Sequence, residues 1–226
     1  MSAPRRSELT ALGSIKVKPP LALPRQRIGL LGGSFNPPHH GHRLISEFAL
    51  KRLGLDRIWW IVTPGNPLKS KGDLAPLPER IAAARARARN PRLVVTRFEA
   101  GLKTAYTAAT LSFLKSRCPA VRFVWIMGAD NLATFHRWRH WREIFRMVPI
   151  AVIDRPGWRH RSLAARAAAA FRTAYIPESQ AARLAQLDPP RWTLLTGPLT
   201  PLSSTALRAA HARPIVQPPR HPAGEG

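Results

Sequence analysis

Short apolar runs alternate with longer amphipathic stretches from Arg27 into the last third of the chain. The short runs are rich in Val, Ile and Trp and apolar at almost every position, which is typical of parallel strands that helices cover on both faces. These predicted strands are RIGLLG over 27–32, RIWWIV over 57–62, RLVVTRF over 92–98, VRFVWIM over 121–127 and IAVID over 150–154. The intervening stretches predict helices over 44–53, 77–90, 107–115, 141–147 and 162–171. This alternation predicts an α/β fold with a doubly wound, mostly parallel sheet.

The two ends of the chain depart from this pattern. Residues 1–25 contain four prolines among scattered charges and predict a flexible basic extension. Residues 192–196 predict one more strand, and SSTALRAA over 203–210 predicts a helix opened by hydroxyl caps. Residues 213–226 predict a disordered, proline-rich tail. A length of 226 residues therefore indicates one compact domain over 26–212 with two appendages.

Charge and cysteine content narrow the classes of protein. Lys and Arg number 36 against 12 Asp and Glu, a net charge of +24, which favours an anionic partner. Most of the cations are arginines spread through Ala-rich runs, so we interpret them as a compositional bias and expect no specific nucleic acid. The alternative, a basic nucleic-acid-binding protein, requires those arginines to cluster on one face. Cys118 is the only cysteine. This excludes an intrachain disulfide or a Cys-based zinc cluster and favours a cytoplasmic protein.

No stretch resembles a signal peptide or reaches the roughly 20 apolar residues of a membrane span, so we expect a soluble protein without a membrane partner.

The candidate chemistry lies just after the predicted strands, because the carboxyl ends of parallel strands open onto the ligand crevice of such sheets. GGSFNPPHHGH over 32–42 follows the first strand and is neither a Walker loop nor a GxGxxG turn. Its paired glycines permit close approach of the backbone to an anion, and the helix start near Gly41 offers free N–H groups. His39 and His42 can donate ring N–H groups to phosphate oxygens. Two alternatives are a metal site using His39, His40 and His42, disfavoured without a nearby carboxylate or thiolate, and a merely exposed loop.

Three later segments also carry candidate side chains. Ser204 and Thr205 at a helix start, with Arg208 one turn on, suit a polyphosphate, although Ser and Thr there are also ordinary helix caps. Asp130 follows a strand that ends at Gly128, where its carboxylate can accept from a ribose or cap a helix. Trp138 and Trp141 lie three apart, so that one can face the core and the other a planar ligand.

These segments together resemble the HxGH nucleotidyltransferases, specifically the bacterial nicotinate-nucleotide adenylyltransferases. GGSFNPPHHGH matches that family's first motif in spacing and in position, and the resemblance spans roughly 27–212. The other matching segments are TPGNPLK over 63–69, TAYT over 104–107 with Thr110-Leu111, GADNL over 128–132 with Trp138, Arg155-Pro156-Gly157, and SSTALR over 203–208, which has Leu where the family has Ile.

The resemblance implies a Rossmann-like nucleotidyltransferase fold and a reaction of NAD biosynthesis, in which the adenylyl group of ATP passes to nicotinate mononucleotide and gives deamido-NAD and diphosphate. It implies Mg²⁺ bound with the ATP and no metal held by the protein alone. Transfer to another phosphate, such as phosphopantetheine, is the alternative within the superfamily. The motifs set neither the oligomeric state nor the choice between nicotinate and its amide.

The resemblance also implies roles for individual residues. The catalytic residues are His39, His42 and Arg208. The ATP site adds Gly32, Gly33, Ser34, Phe35, Gly128, Asp130, Ser204 and Thr205. The mononucleotide site takes Asn66, Lys69, Thr104, Tyr106 and Trp138, with the tryptophan stacking on the pyridine ring.

Overall fold

The apolar runs form the strands of one parallel sheet. The computed structural model of the protein describes residues 17–65, 74–102 and 106–197. Within these ranges the sheet has six strands in the order β3-β2-β1-β4-β5-β6. Their bounds are β1 Arg27–Gly33, β2 Arg57–Val62, β3 Leu93–Thr96, β4 Arg122–Gly128, β5 Ile150–Ile153 and β6 Trp192–Leu195. Every neighbouring pair is parallel, so the predicted doubly wound α/β fold is confirmed.

Helices cover both faces of the sheet. The α-helices are α1 His40–Arg52, α2 Leu77–Arg87, α3 Phe98–Gly101, α4 Thr107–Arg117, α5 Ala129–Thr134, α6 Trp141–Met147, α7 Arg159–Leu163 and α8 Arg166–Ala170. Short 3₁₀ helices occupy Phe135–Arg137, Arg172–Ala174 and Glu178–Gln186. No helix among the described residues has the length and apolar character needed to cross a bilayer.

One predicted helix is divided in the structure. The helix predicted over 162–171 is two helices, α7 and α8, because Ala165 between them has an extended backbone with ψ 147°. The first helix begins at His40, close to the start expected near Gly41, whereas its apolar stripe begins only at residue 44, because its first turn is polar and is fixed by contacts between His39 and His42.

Alternate residues of each strand supply two separate cores. Leu30 and Trp59 point into one core with α4, α5 and α6, whereas Leu31 and Trp60 point into the other with α1 and α2. Both tryptophans are fully buried, and removing such a side chain costs about 3–5 kcal/mol. The described end of the N-terminal extension lies against the first core through Val17, which packs on Gly101.

The sheet order places a crevice beside β1. After β1 the chain passes through α1 to β2, and after β4 it passes through α5 to β5, so the two connections diverge between the neighbouring strands β1 and β4. Helix α1 packs in the second core and α5 in the first. Such a divergence leaves an open crevice at the carboxyl ends of the strands, which is where ligands bind in this architecture.

Candidate active site

The buried ring of Phe35 holds the loop after β1 in place. Phe35 has a positive φ of 46° and is 1% exposed. Its ring stacks on Trp60, with centroids 5.0 Å apart, and lies 4.7 Å from the ring of His42. The left-handed backbone at a bulky residue is unfavourable and needs support from its surroundings. Burial of the ring between β2 and α1 provides that support and fixes the loop.

Gly32 and Gly33 lie at the end of β1, where the chain turns toward Phe35. A Cβ atom on Gly32 would lie 2.7 Å from the ring of Trp125 on the neighbouring strand β4, so a side chain there would displace that tryptophan. A Cβ atom on Gly33 would lie 3.4 Å from the Phe35 ring. Glycine at position 32 therefore allows the strand to pass a bulky neighbour while its backbone remains open to a ligand.

His39 and His42 form a pair at the N-terminus of α1. Their ring centroids are 3.9 Å apart, and the backbone N–H of His39 donates to Nδ1 of His42 at 3.2 Å. Because Nδ1 of His42 accepts a hydrogen bond, the proton of its neutral ring is on Nε2. His39 is 5% exposed, and its Nδ1 has no partner among the described residues. Nε2 of each ring forms no hydrogen bond among the described residues and is the nitrogen available to a ligand, since Nδ1 of His39 is buried and Nδ1 of His42 is already bonded.

Burial keeps both imidazoles neutral. It lowers the pKa of His39 to about 4, assisted by the positive charges of Arg155 and Arg87. It lowers the pKa of His42 to about 3, assisted by His39 and Arg155. Both rings are therefore uncharged at neutral pH, and each donates a single N–H.

A chain of hydrogen bonds joins the first turn of α1 to the sheet. Ser46 Oγ donates to the backbone oxygen of His42 at 2.7 Å, and Nε1 of Trp60 donates to Ser46 Oγ at 2.8 Å. Ser46 and Trp60 are fully buried. The histidine pair consequently sits on a rigid base, as an electrostatic binding site requires.

Across the crevice, Asp130 and Arg155 form an ion pair at the ends of β4 and β5. Arg155 Nη1 lies 3.4 Å from Asp130 Oδ2. The other carboxylate oxygen, Oδ1, is buried with no hydrogen-bond partner among the described residues. The N-cap of α5 is Gly128 and no side chain caps it, so Asp130 does not act as the helix cap considered from the sequence. Its free oxygen is suited to accept from a hydroxyl group.

Arg155 was not among the predicted site residues. Its backbone N–H donates to Asp154 Oδ1 at 2.8 Å, and Asp154 also accepts from Arg159 at 3.1 Å. This buried carboxylate holds the loop after β5, so that the Arg155 guanidinium lies beside Gly128. From there its positive charge lowers the pKa of both His39 and His42. The Arg-Pro-Gly segment had marked this position in the sequence without indicating a role.

Trp141 and Trp138 differ in burial, although both pack with the first core. Trp141 is 8% exposed and packs edge-on against Phe145 and Phe171 in the first core. Trp138 is half-buried, and its ring meets Phe135 and Trp125 at 5.0 Å and 6.4 Å.

Tyr106 is the N-cap residue of α4 and is 39% exposed. The Arg139 guanidinium lies 5.1 Å from the centroid of its ring, within the range of a cation–π contact. The start of α4 therefore presents an aromatic and a cationic group together.

Six predicted site residues lie outside the described residues, and their roles stay predictions. They are Asn66, Lys69, Thr104, Ser204, Thr205 and Arg208.

Two buried charged residues next to the crevice were missed from the sequence. Arg80 is 3% exposed and Glu99 is 5% exposed. Arg80 directly precedes the arginine-rich run over 81–90, and it falls between Leu77 and Ile81 at the helical spacing of the inward face of α2. That spacing was the available signal. Glu99 lies between two apolar residues in a four-residue helix, and no sequence signal distinguishes it.

The fold and the histidine crevice are those of a nucleotidyl-transferring class of protein, and the family model described as "Cytidylyltransferase-like" matches residues 30–210. The chain is 60% identical to a "Probable nicotinate-nucleotide adenylyltransferase" of Methylorubrum extorquens, over 80% of this chain and 98% of the relative. It is 56% identical to a relative with the same name from Rhizobium meliloti, over 81% of this chain and 97% of the relative. The chain belongs to the nicotinate-nucleotide adenylyltransferase family.

A solved structure supports the fold independently. The Plasmodium falciparum nicotinic acid mononucleotide adenylyltransferase complexed with NaAD superposes with a TM-score of 0.62 at 17% identity, covering 82% of this chain and 83% of the other. A second structure of the same protein, complexed with APC, gives a TM-score of 0.60 at 16% identity and the same coverages.

Proposed function

We propose that this protein transfers the adenylyl group of ATP to nicotinate mononucleotide, producing deamido-NAD and diphosphate. The observation that carries the proposal is the neutral His39 and His42 pair at the N-terminus of α1, inside the crevice between β1 and β4. The names of the relatives at 60% and 56% identity support the choice of substrates.

The reaction needs positioning and charge stabilisation more than proton transfer. An oxygen of the mononucleotide phosphate attacks the α-phosphorus of ATP, a new P–O bond forms, and the bond from the α-phosphorus to the bridging oxygen of the diphosphate breaks. The attacking phosphate is already an anion, so the step requires no general base. Catalysis then depends on holding the two substrates in line and stabilising the charge that develops on the phosphate oxygens.

The described residues supply donors for that charge. His39 and His42 each offer a neutral N–H at the helix N-terminus, where the backbone also favours anions. Arg155 adds a fixed positive charge from the end of β5. Asp130 offers its unpartnered oxygen to a ribose hydroxyl, and Trp138 offers a half-buried ring to the pyridine. Arg208, Ser204 and Thr205 are proposed to hold the outer phosphates.

We further propose that Mg²⁺ enters with the phosphates of ATP. The low pKa values of His39 and His42 leave both rings uncharged, so they do not repel a cation bound to the triphosphate. Chelation of free Mg²⁺ by EDTA is expected to stop turnover, and added Mg²⁺ is expected to restore it.

A diphosphate-release assay tests the function directly. The purified protein is incubated with MgATP and, in parallel, nicotinate mononucleotide, its amide or phosphopantetheine. Release is expected with nicotinate mononucleotide, and the comparison with the amide measures the preference between pyridine nucleotides. Release with phosphopantetheine alone would overturn the proposal and identify the alternative acceptor.

A further inference from the structure

Arg80 is a buried cation that binds main-chain carbonyls instead of a carboxylate. Its Nη1 donates to the backbone oxygens of Ser34 at 2.7 Å and Thr63 at 2.8 Å, and its Nη2 donates to Pro64 at 3.2 Å. Its Nε donates to Ala75 at 2.8 Å. Among the described residues it has no carboxylate within ion-pair distance. A guanidinium provides five N–H donors in a planar fork, which is why this side chain can bind several carbonyls at once.

Three of these four bonds connect two loops of the crevice. Ser34 belongs to the loop after β1, and Thr63 and Pro64 belong to the loop after β2. The backbone N–H of Thr63 also donates to Gly33 at 3.0 Å. In addition, the side chain of Asn36 accepts from the backbone N–H of Ala75 at 3.3 Å. Arg80, on helix α2, therefore fixes the distance between the two loops.

Glu99 continues the connection to the start of α4. Thr110 Oγ1, in the first turns of α4, donates to Glu99 Oε1 at 2.6 Å, and the Thr63 hydroxyl is a second hydrogen-bond partner of the Glu99 carboxyl. The single Thr63 hydroxyl proton points to the backbone oxygen of Gly65 at 2.9 Å. Burial raises the pKa of Glu99, and its hydrogen bonds with Thr110 and Thr63 oppose that shift.

We propose that Arg80 and Glu99 are positioning residues that, joined through Thr63, fix the loop after β1 against the start of α4. The loop after β1 is the proposed ATP loop, and α4 begins beside Tyr106 of the proposed mononucleotide site, so this inference rests on the proposed function. Neither Arg80 nor Glu99 contacts the reacting atoms in this scheme. Their effect is on the alignment of the two substrates, and a displacement of about 1 Å can cost about 10²-fold in rate.

The test compares conservative and disruptive variants in the full-length protein. Arg80→Lys keeps the charge but loses the fork, and it is expected to lower kcat at saturating substrates by about tenfold or more. Glu99→Gln is expected to keep nearly normal kcat, because the amide can accept from Thr110 and donate to Thr63. Glu99→Ala removes both bonds and is expected to lower kcat by a similar factor. Arg85→Lys and Glu79→Gln, which change exposed residues of the same helix α2, are the matched controls.

A double variant tests whether the two residues act as one unit. Arg80→Lys combined with Glu99→Ala is expected to cost little more than the worse single variant, since either change already breaks the connection. Multiplicative losses, a wild-type kcat in Arg80→Lys, or a Glu99→Gln protein as inactive as Glu99→Ala would each overturn the proposal. The last result would instead assign the Glu99 charge a part in the chemistry.

Calorimetric titration with a non-hydrolysable MgATP analogue gives a readout that does not depend on turnover. Weaker binding in folded Arg80→Lys, with unchanged binding in Arg85→Lys, supports the connection to the ATP loop, and equal binding in all proteins contradicts it. A wild-type protein that binds the analogue but releases no diphosphate with nicotinate mononucleotide would overturn the proposed function and leave this test intact. Circular dichroism identifies any variant that fails to fold. If Arg80→Lys does not fold, the comparison of kcat between Glu99→Gln and Glu99→Ala tests the proposal.

Discussion

The imidazole of His42 uses one nitrogen within the protein and leaves the other for a ligand. Nδ1 accepts from the backbone N–H of His39, so Nε2 carries the proton. The neighbouring His40 is exposed and its ring takes no part in this arrangement. Two histidines separated by a single residue, His40 and His42, can therefore have quite different importance for turnover.

The first prediction concerns this pair. His42→Ala is expected to lower kcat by about 10²–10³, the usual cost of removing one preorganised donor to transition-state charge. His42→Asn keeps an acceptor for the His39 N–H but lacks the Nε2 donor, so it is expected to lose as much activity with a better preserved fold. His40→Ala is the control and should be nearly normal. Diphosphate release and circular dichroism measure these effects, and normal turnover in folded His42→Ala would contradict the assignment.

The second prediction separates two tryptophans. Trp138→Ala is expected to raise the KM for the mononucleotide about tenfold or more through loss of a stacking surface, with little change in ATP affinity. Trp141→Ala removes a core ring and is expected to cost about 3–5 kcal/mol in the free energy of unfolding. Steady-state kinetics and urea denaturation of both proteins check this. If the two effects are exchanged, the ligand-facing residue is Trp141.

At the scale of elements, the burial of two histidines at the N-terminus of α1 makes the stability of the protein depend on pH. Folding buries His39 and His42 as neutral rings, with pKa values of about 4 and about 3. The unfolded chain has ordinary histidines with a pKa near 6.5. As the pH falls below about 6.5, the unfolded state therefore binds protons that the folded state does not, and stability decreases.

The third prediction follows from that sign. The urea midpoint is expected to fall between pH 7 and pH 4.5 in the wild type and to fall less steeply in His42→Asn, which lacks one of the two groups. His40→Ala should retain the wild-type slope, because His40 is exposed. A pH dependence identical in all three proteins would show that His42 is not held neutral by folding.

The elements differ in how much of them could be predicted from the sequence. The strands were identified correctly because full burial demands continuous apolar runs, as in RIWWIV of β2. The start of α1 near Gly41 was predicted from the glycine and histidine motif rather than from apolar periodicity, since its first turn is polar. The break between α7 and α8 was missed because alanine-rich sequence favours helix throughout.

The site shows a similar division. The motifs and the family resemblance they carry indicated His39, His42 and Asp130, whereas the positions of Arg80 and Glu99 depend on burial by elements distant in sequence. The sequence does not distinguish an arginine that binds four backbone carbonyls from one that is exposed to solvent. Low pKa values of the histidines likewise arise from tertiary burial, which no local pattern encodes.

At the scale of the whole molecule, the fourth prediction tests the two appendages. A chain over 24–214 is expected to keep full activity, since every motif of the resemblance lies within it. Its stability is expected to decrease slightly, because Val17 packs on Gly101 and is lost. A matched chain over 17–214 keeps that contact and should recover the stability. Loss of activity with the fold preserved would connect the basic extension to catalysis or assembly.

The fifth prediction tests the meaning of the net charge of +24. Duplex DNA is expected to bind the full-length protein weakly and without sequence preference, with a Kd of about 10⁻⁴–10⁻⁶ M at physiological salt and a steep decrease in affinity as salt rises. Fluorescence anisotropy across a salt series measures this. A nanomolar, sequence-selective complex would support a nucleic-acid function in addition to the enzyme.

β1, one of the two central strands, is the first of the described strands to be synthesised. β1 leaves the ribosome long before β4, its neighbour across the crevice, which places Trp125 beside Leu30. Pairs so distant in sequence form late, because loop closure must precede the contacts that reward it. A nascent chain that ends before Gly128 therefore has the histidines beside β1 but lacks the complete β4 side of the crevice. Under the proposed function, ATP binds where β1 and β4 have paired, so nucleotide binding would stabilise chains that extend past β4 relative to shorter ones.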